Sequence, residues 1–489
     1  MIMSFLMEKM IRYLFSVLLI TTLCRFHTVE GAENYDSARD RCFCKLKGEI
    51  DDCSCKVENV DSFNNLKIYP VLRSLTQKDY FRYFKVNINK PCAFWENTFE
   101  CSLRDCHVEP CTKEQLPEGL KGKTNSNEGV EDHAKNKYKK EAQDQPVSDC
   151  TLDKDDYDDK LGFLDQTISQ PAEEAFKSWK QHDDQQETFC EIDDENAANM
   201  QYVDLLLNPE RFTGYKGQSA QRIWSSIYNE NCFKPLPGYG FLNKPQSTEA
   251  NKMEKWADYL EGLCLEKRVF FRMISGLHTS ISVHLTYNFF FPGNGFLSSG
   301  HFAPNVDLFQ KRFDPATSDD EGPQRLRNLY FTYLVELRAL AKIAPYLEEE
   351  NFYTGNEVED AETKEAVINL LNIIKSFPEQ FDESKLFTDD TVETLKLKED
   401  FRQKFHNISK IMDCVGCDKC RLWGKLQTVG MGTALKILFS GDVGPDATLS
   451  ASSKTKFQLR RTEIVALFNA FARLSSSIHA IEEFRKMMR

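Results

Sequence analysis

Across the second half of the chain, apolar residues return every three or four positions over long stretches, the period of an amphipathic helix. In "QRLRNLYFTYLVELRALAKI" the stripe is Leu326, Leu329, Tyr330, Tyr333, Leu334, Leu337 and Leu340. "KEAVINLLNIIKSF" carries Val367, Leu370, Leu371 and Ile374, and "RTEIVALFNAFARLSSSIHAIEEF" carries Ile464, Leu467, Phe468, Phe471, Leu474, Ile478 and Ile481. Each pattern predicts a long helix with one face to bury. Several such helices predict a mainly α, single-domain bundle around a shared interior. Strands do not alternate with helices, which argues against a doubly wound sheet.

The pattern breaks in two places. "MIRYLFSVLLITTL", residues 10–23, is a short apolar run behind "MEKM", with small residues at Gly31 and Ala32. That is the shape of a secretory signal peptide, so residues 1–32 are expected to be removed. No other stretch reads as long and apolar enough to cross a bilayer. The second break, "TKEQLPEGLKGKTNSNEGVEDHAKNKYKKEAQDQPVS", has almost no large apolar side chains. It cannot offset the entropy of folding, so residues 112–149 are expected to form a flexible loop. The expected organisation is a cysteine-rich, irregular segment over 33–111, this loop, and a helical core over 150–489.

Cysteine changes the picture most. A lumenal or secreted chain keeps disulfides. The sequence has 16 cysteines, and loss of Cys24 with the signal leaves an odd number, so at least one sulfur is free or paired outside the chain. The formal net charge of -13 argues against a nucleic-acid binder. The chain has no Lys-Asp-Glu-Leu ending, no HExxH, no Walker loop, no G-x-S-x-G and no G-x-G-x-x-G after a strand.

Three cysteine groups carry candidate chemistry. In "CFCKLKGEIDDCSC", pairing Cys42 with Cys55 and Cys44 with Cys53 meets the register condition of an antiparallel hairpin, with Gly48 and Asp51–Asp52 to supply the turn. Four zinc ligands are the alternative, although C-x-C is tighter than the usual C-x2-C arm. In "CAFWENTFECSLRDCHVEPC", Cys101 and Cys106 can close a small C-x4-C loop beside the flexible segment, and another structural staple is the alternative. In "MDCVGCDKCRLWGK", Cys414, Cys417 and Cys420 are one ligand short of a zinc site, and Trp423 stands where an iron–sulfur motif needs a fourth cysteine.

Cys417 and Cys420 form a C-x-x-C ahead of a helical stretch. There the amide groups and the helix dipole lower a thiolate pKa, with Lys419 and Arg421 expected to help. Cys414 is then spare for a distant partner. The glycines of "GMG", Gly430 and Gly432, read as close-packing positions. Two electrons leaving a dithiol need an acceptor, and spacing alone does not name one. Arg211, Arg312 and Arg325 are candidate anion ligands, since guanidinium forks suit a pyrophosphate.

The text "FHNISKIMDCVGCDKCRLWGKLQTVGMGTALKILFS", with "NPERFTGYKGQSAQRIW", "ISGLHTSISVHL", "GPQRLRNLYFTYLVELRAL" and "EIVALFNAF", resembles the ER oxidoreductin family in its animal form. These are flavin-dependent thiol oxidases of the ER lumen. The resemblance covers nearly all of the mature sequence and is weakest in the loop. It implies FAD inside the helical bundle, held by Arg211, Thr213, Trp224, Ser275, His278, Arg312 and Arg325. It implies a shuttle dyad, Cys101–Cys106, that accepts electrons from protein disulfide isomerase and related thioredoxin-fold proteins. An inner dyad, Cys417–Cys420, then passes them to FAD and molecular oxygen, giving hydrogen peroxide.

The resemblance also implies structural disulfides Cys42–Cys55, Cys44–Cys53, Cys92–Cys414 and Cys232–Cys264. Regulatory pairs Cys101–Cys150 and Cys106–Cys111 would compete with the shuttle disulfide. Cys190 is left over. Asn407, in "NIS", is a glycosylation acceptor at a family position. No metal is implied. The expected state is a monomer in the ER lumen, with peripheral contact to the lumenal membrane face left open. The rival from another class is a non-enzymatic lumenal protein of the same fold that only binds the isomerase.

Overall fold

The structure is a computed structural model. It describes residues 44, 46–94, 107–121, 189–190, 193, 197–210, 223–224, 226–230, 265–291, 300–318, 320–379, 381, 392–440, 448–450 and 453–488. The periodic segments fold as helices. The first helical stretch runs through α1 (Val57–Phe63), a π-helical turn over Asn64–Ile68 and α2 (Tyr69–Leu75). Then come α3 (Leu265–Tyr287), α4 (Val306–Phe313), α5 (Glu321–Glu349), α6 (Glu357–Lys375), α7 (Val392–Ile411), α8 (Asp418–Leu438) and α9 (Arg461–Met487). The fold is mainly α, and the described strands form only two-stranded sheets.

The helix starts follow local chemistry. Asn305 accepts from Leu308 N at 2.9 Å to cap α4, and Glu463 returns a side-chain acceptor to Arg460 N at 2.8 Å at the start of α9. Helix α6 opens on Glu357, Glu359 and Asp360, which suit the positive end of its dipole.

The centre of the bundle is α3, α5, α8 and α9, and the closest pairings are α8 with α9 and α3 with α5. Both close pairings rest on glycine. A Cβ at Gly430 would collide with Ala470 and come within 2.6 Å of Ala466 O on α9. A Cβ at Gly276 would strike Thr332 on α5, at 2.7 Å from its Cβ. The reading of Gly430 as a packing position holds. Gly432 fits it too, since a Cβ there would strike the Cys190 sulfur. Cys190 itself is a buried thiol that donates to Thr428 O at 3.0 Å.

Four expectations need correction. The hairpin register is displaced. Glu49 bridges Lys56, Ile50 N donates to Cys55 O at 2.9 Å, and Cys53 N donates to Ile50 O at 3.2 Å. The turn is therefore centred on Asp51–Asp52, with Asp52 at φ 61°. A Cys44–Cys53 pairing in that hairpin needs a turn at Gly48–Glu49. Arg268 and Arg272 of α3 both hold the Asp52 carboxylate, which fixes the turn where it is. Cys53 is a thiol here, beside Cys55, so the Cys44–Cys53 staple is not formed. Cys42 lies outside the described residues.

Second, the expected flexible loop begins later. Residues 112–121 form a short 3-10 turn, Lys113–Gln115, and a helical turn, Glu118–Lys121. Leu116 and Leu120 anchor them against Tyr83 and Tyr202, and Gly119 N donates to Thr354 O at 2.8 Å. The remainder, 122–149, lies outside the described residues.

Third, α9 is long and apolar enough by composition to cross a membrane, but 83% of its apolar window is buried among the other helices. It is the bundle's central helix. Fourth, the cysteine-rich N-terminal segment is more regular than expected. Val57, Val60, Ile68, Leu72 and Leu75 are spaced along its helical stretch and all are buried.

Candidate active site

Helix α8 begins one residue after Cys417, which is extended at φ -98° and ψ 122° as the N-cap, and Cys420 lies in its first turn. Both cysteines are fully buried. The segment before them is fixed on three sides. Cys414 is bonded to Cys92, the predicted distant partner. Arg421 donates from Nε to Val415 O at 2.9 Å and from Nη1 to Ile88 O at 2.7 Å. Its guanidinium therefore ties backbone together, a role other than the expected help to the thiolate.

Beneath lies a group of two lysines and two aspartates. Lys425 pairs with Asp413 and lies 3.5 Å from Asp193, while Lys90 reaches Asp193 at 2.8 Å and Asp413 at 3.9 Å. For Asp193 the two ammonium groups outweigh burial and hold its carboxyl below the usual range. For Asp413 burial wins and pushes it up.

Cys417 is engaged in a disulfide. The shuttle-side observation is His107, one peptide bond from Cys106, whose Nδ1 stands 3.4 Å from Oδ2 of Asp418, one peptide bond from Cys417. Downstream of His107 the chain follows strand β2 (Gln201–Asp204), which pairs antiparallel with β1 (Tyr83–Val86). Pro110 bridges Val203, Cys111 N donates to Tyr202 O at 2.8 Å, and Glu109 N donates to Asn208 Oδ1 at 3.2 Å. Asn208 in turn accepts Trp423 Nε1 of α8 at 2.7 Å on its backbone oxygen. Cys111 is a thiol. Cys101, Cys106, Cys150, Cys232 and Cys264 lie outside the described residues.

Several of the predicted flavin contacts converge on one face of α3. The rings of Trp224 and His278 stack at 3.6 Å and 14°. Tyr228 Oη lies 3.2 Å from His278 Nδ1. Ser275 Oγ accepts Asn328 Nδ2 at 2.9 Å. Arg312 and Arg325 are both buried. Arg312 donates to Thr286 Oγ1 at 3.3 Å, and Arg325 pairs with Glu321 at 2.7 Å while its Nε finds no hydrogen-bond partner. Burial, then the charges of Arg325 and Arg312, push the His278 pKa well down, so this imidazole is neutral. Sequence reasoning did not single out Tyr228 or Asn328, although each follows a predicted contact by one helical turn (Trp224 and Arg325). Arg211 and Thr213 lie outside the described residues. Asn407 lies within α7 at 9% exposure, so a glycan there would need to be attached before that helix docks.

A helical bundle with a buried C-x-x-C at a helix N-terminus, approached by a second cysteine-bearing segment, defines a thiol–disulfide exchange protein. The family described as Endoplasmic Reticulum Oxidoreductin 1 (ERO1) matches residues 67–481. The chain belongs to that family. It is 48% identical to ERO1-like protein alpha of Rattus norvegicus over 461 residues, covering 93% of this chain and 94% of that one. It is 49% identical to the Ero1-like protein of Drosophila melanogaster over 458 residues, covering 92% and 91%. Among solved structures, a double-cysteine mutant of S. cerevisiae Ero1p matches with TM-score 0.52 at 30% identity, covering 88% of this chain and 97% of that one. A structure of Ero1p described as the source of disulfide bonds for oxidative protein folding in the cell matches equally, at 31% identity.

Proposed function

We propose that this chain is a thiol oxidase of oxidative folding in the ER lumen, with FAD as its resident cofactor and protein disulfide isomerase as its reductant. The observation that carries the reading is the pairing of His107 with Asp418. It brings the residue after Cys106 to the residue after a fully buried Cys417. A buried dyad is out of reach of a bulky protein dithiol, so a carrier pair must serve it.

In sequence, an isomerase thiolate attacks Cys101–Cys106 and its second thiolate resolves the mixed disulfide. The isomerase leaves oxidised and the shuttle reduced. The shuttle dithiol then reduces Cys417–Cys420 by the same exchange, moving two electrons and two protons inward. The family's cofactor fits the residues present. Two buried guanidiniums, one with an orphaned Nε, suit a pyrophosphate, and Trp224 with neutral His278 suits a flat ring. That ring pair is closed on itself, so an aromatic ligand stacks on its outer face or parts the two. Bound FAD would take the electron pair and deliver it to oxygen as hydrogen peroxide.

The test is the absorption spectrum of the purified chain with oxygen uptake in the presence of reduced isomerase. Flavin bands and uptake that Cys417→Ala abolishes are expected. A colourless protein that releases no flavin and consumes no oxygen would instead support the isomerase-binding rival.

A further inference from the structure

Hydroxyl side chains along α3 use their protons in different ways. Thr279 Oγ1 donates to Ser275 O at 2.8 Å and Thr286 Oγ1 to Ser282 O at 2.6 Å, each to the carbonyl one turn back. Ser275 is buried too, but its hydroxyl oxygen accepts, from Asn328 Nδ2 at 2.9 Å, and among the described residues none accepts its proton. The direction of that bond follows from what lies behind Asn328. Arg272 Nη1 reaches Asn328 Oδ1 at 3.1 Å. A guanidinium can only donate, so the carboxamide turns its oxygen to Arg272 and its amide to Ser275.

Arg272 is itself held by Asp52. Burial raises the Asp52 carboxyl, but hydrogen bonds from Arg268 and Arg272 outweigh it, so this group is ionised at neutral pH and only accepts. Gln324 enforces the same sense from the partly exposed side. Its Nε2 donates to Asp51 Oδ2 at 2.8 Å and to Asn328 Oδ1 at 3.3 Å. Every bond in the series is thereby directed. Gly276 brings α3 and α5 close enough for it, since a Cβ there would lie 2.3 Å from Asn328 O.

We propose that Asp52, Arg272 and Asn328 form a polarity relay that commits the Ser275 hydroxyl to donate its proton outward, to an acceptor atom of the cofactor bound on this face. The relay rests on FAD being that cofactor, as read above. FAD offers acceptors in its ring carbonyls and nitrogens, its ribose and its pyrophosphate. His278 follows Ser275 by one turn and Arg325 precedes Asn328 by one turn. Asn328, Arg272 and Asp52 are positioning residues that act through Ser275. Without them the hydroxyl would be free to turn to Phe271 O, as Thr279 turns to Ser275 O.

The test is the rate of FAD release from the full-length holoprotein, followed by the fluorescence of freed FAD. Ser275→Ala lacks the donor, and release is expected to be about fivefold faster, the scale of one neutral hydrogen bond. Asn328→Asp keeps the shape and the bond from Arg272, but its carboxylate cannot donate and draws the Ser275 proton inward. It should also release FAD about fivefold faster, and the double variant no faster than either single one. A network that only braced α3 against α5 would tolerate Asn328→Asp, and a charge acting directly on FAD would multiply with Ser275→Ala. Parental release from Asn328→Asp, or a double variant near the product of the two, would therefore overturn the relay. A crystal structure of the holoprotein needs no variant. An FAD acceptor within about 3.2 Å of Ser275 Oγ is expected, and Ser275 Oγ bonded to Phe271 O instead would overturn the relay. A parent that carries no flavin would overturn the cofactor reading and the relay together. A flavin-bearing parent whose variants release alike would overturn the relay alone.

Discussion

Cys111 sits half sunk beside the β1–β2 pair, where burial and the Asp204 carboxylate push its thiol up to about 12. At neutral pH its thiolate is therefore about a thousandfold scarcer than that of an ordinary exposed thiol. Iodoacetamide labelling of Cys111, read by mass spectrometry, should rise about tenfold per pH unit between pH 7 and 9 and stay far below that of a free peptide thiol. Labelling at the peptide rate at pH 7 would contradict the burial. A Cys106–Cys111 pair would then be slow to form by attack from Cys111. Asp52 gives a second residue-level test. Burial raises its carboxyl, but Arg268 and Arg272 outweigh it and leave the pKa below the usual value. A depressed carboxylate adds stability above its unfolded pKa and loses it as the pH falls through the folded one. Asp52→Asn should therefore lower the melting temperature at pH 7, and the gap to the parent should narrow below about pH 4.

Between elements, the critical seam is α8 against α9, where Gly430 has no room for a side chain. Gly430→Val should cost about 1–3 kcal/mol by overpacking, seen as an earlier thermal transition. It should also disturb Cys417–Cys420, because α8 carries both the seam and the dyad. Helices of this kind were open to reading from sequence, since a periodic apolar stripe is a local signal. The Gly430 and Gly432 contacts were legible for the same reason: two small residues on a long helical stretch imply a close neighbour. The hairpin was not. Its register follows from Arg268 and Arg272, over 200 residues away, which hold the turn at Asp52. The short elements at Leu116 and Leu120 were missed because two apolar residues fall below the threshold of any pattern.

At the scale of the whole molecule, the Cys92–Cys414 bond joins positions 322 residues apart. On loop-entropy grounds such a link contributes up to about 5 kcal/mol, less whatever structure the unfolded chain retains. Cys92→Ala with Cys414→Ala should therefore lower the denaturant midpoint markedly while a far-ultraviolet spectrum stays helical. An unchanged midpoint would show that the bond is redundant. The candidate site spans the same distances. Trp224, His278, Arg312 and Arg325 come from separate segments, and no spacing rule joins them. Family resemblance named those residues, while chemistry alone reached only the C-x-x-C and the need for an acceptor. No motif singled out His107 or Asp418, because a contact between two motifs belongs to neither.

The long reach of Cys92–Cys414 also sets a clock on the protein's own birth. Ribosomes add roughly 5–20 residues per second, so Cys414 is synthesised roughly 16 to 64 seconds after Cys92. Throughout that interval Cys92 waits as a thiol within ten residues of Cys101 and has every chance of a wrong marriage. The chain that we propose supplies disulfides to others must therefore be proofread by exchange before its own bundle can close.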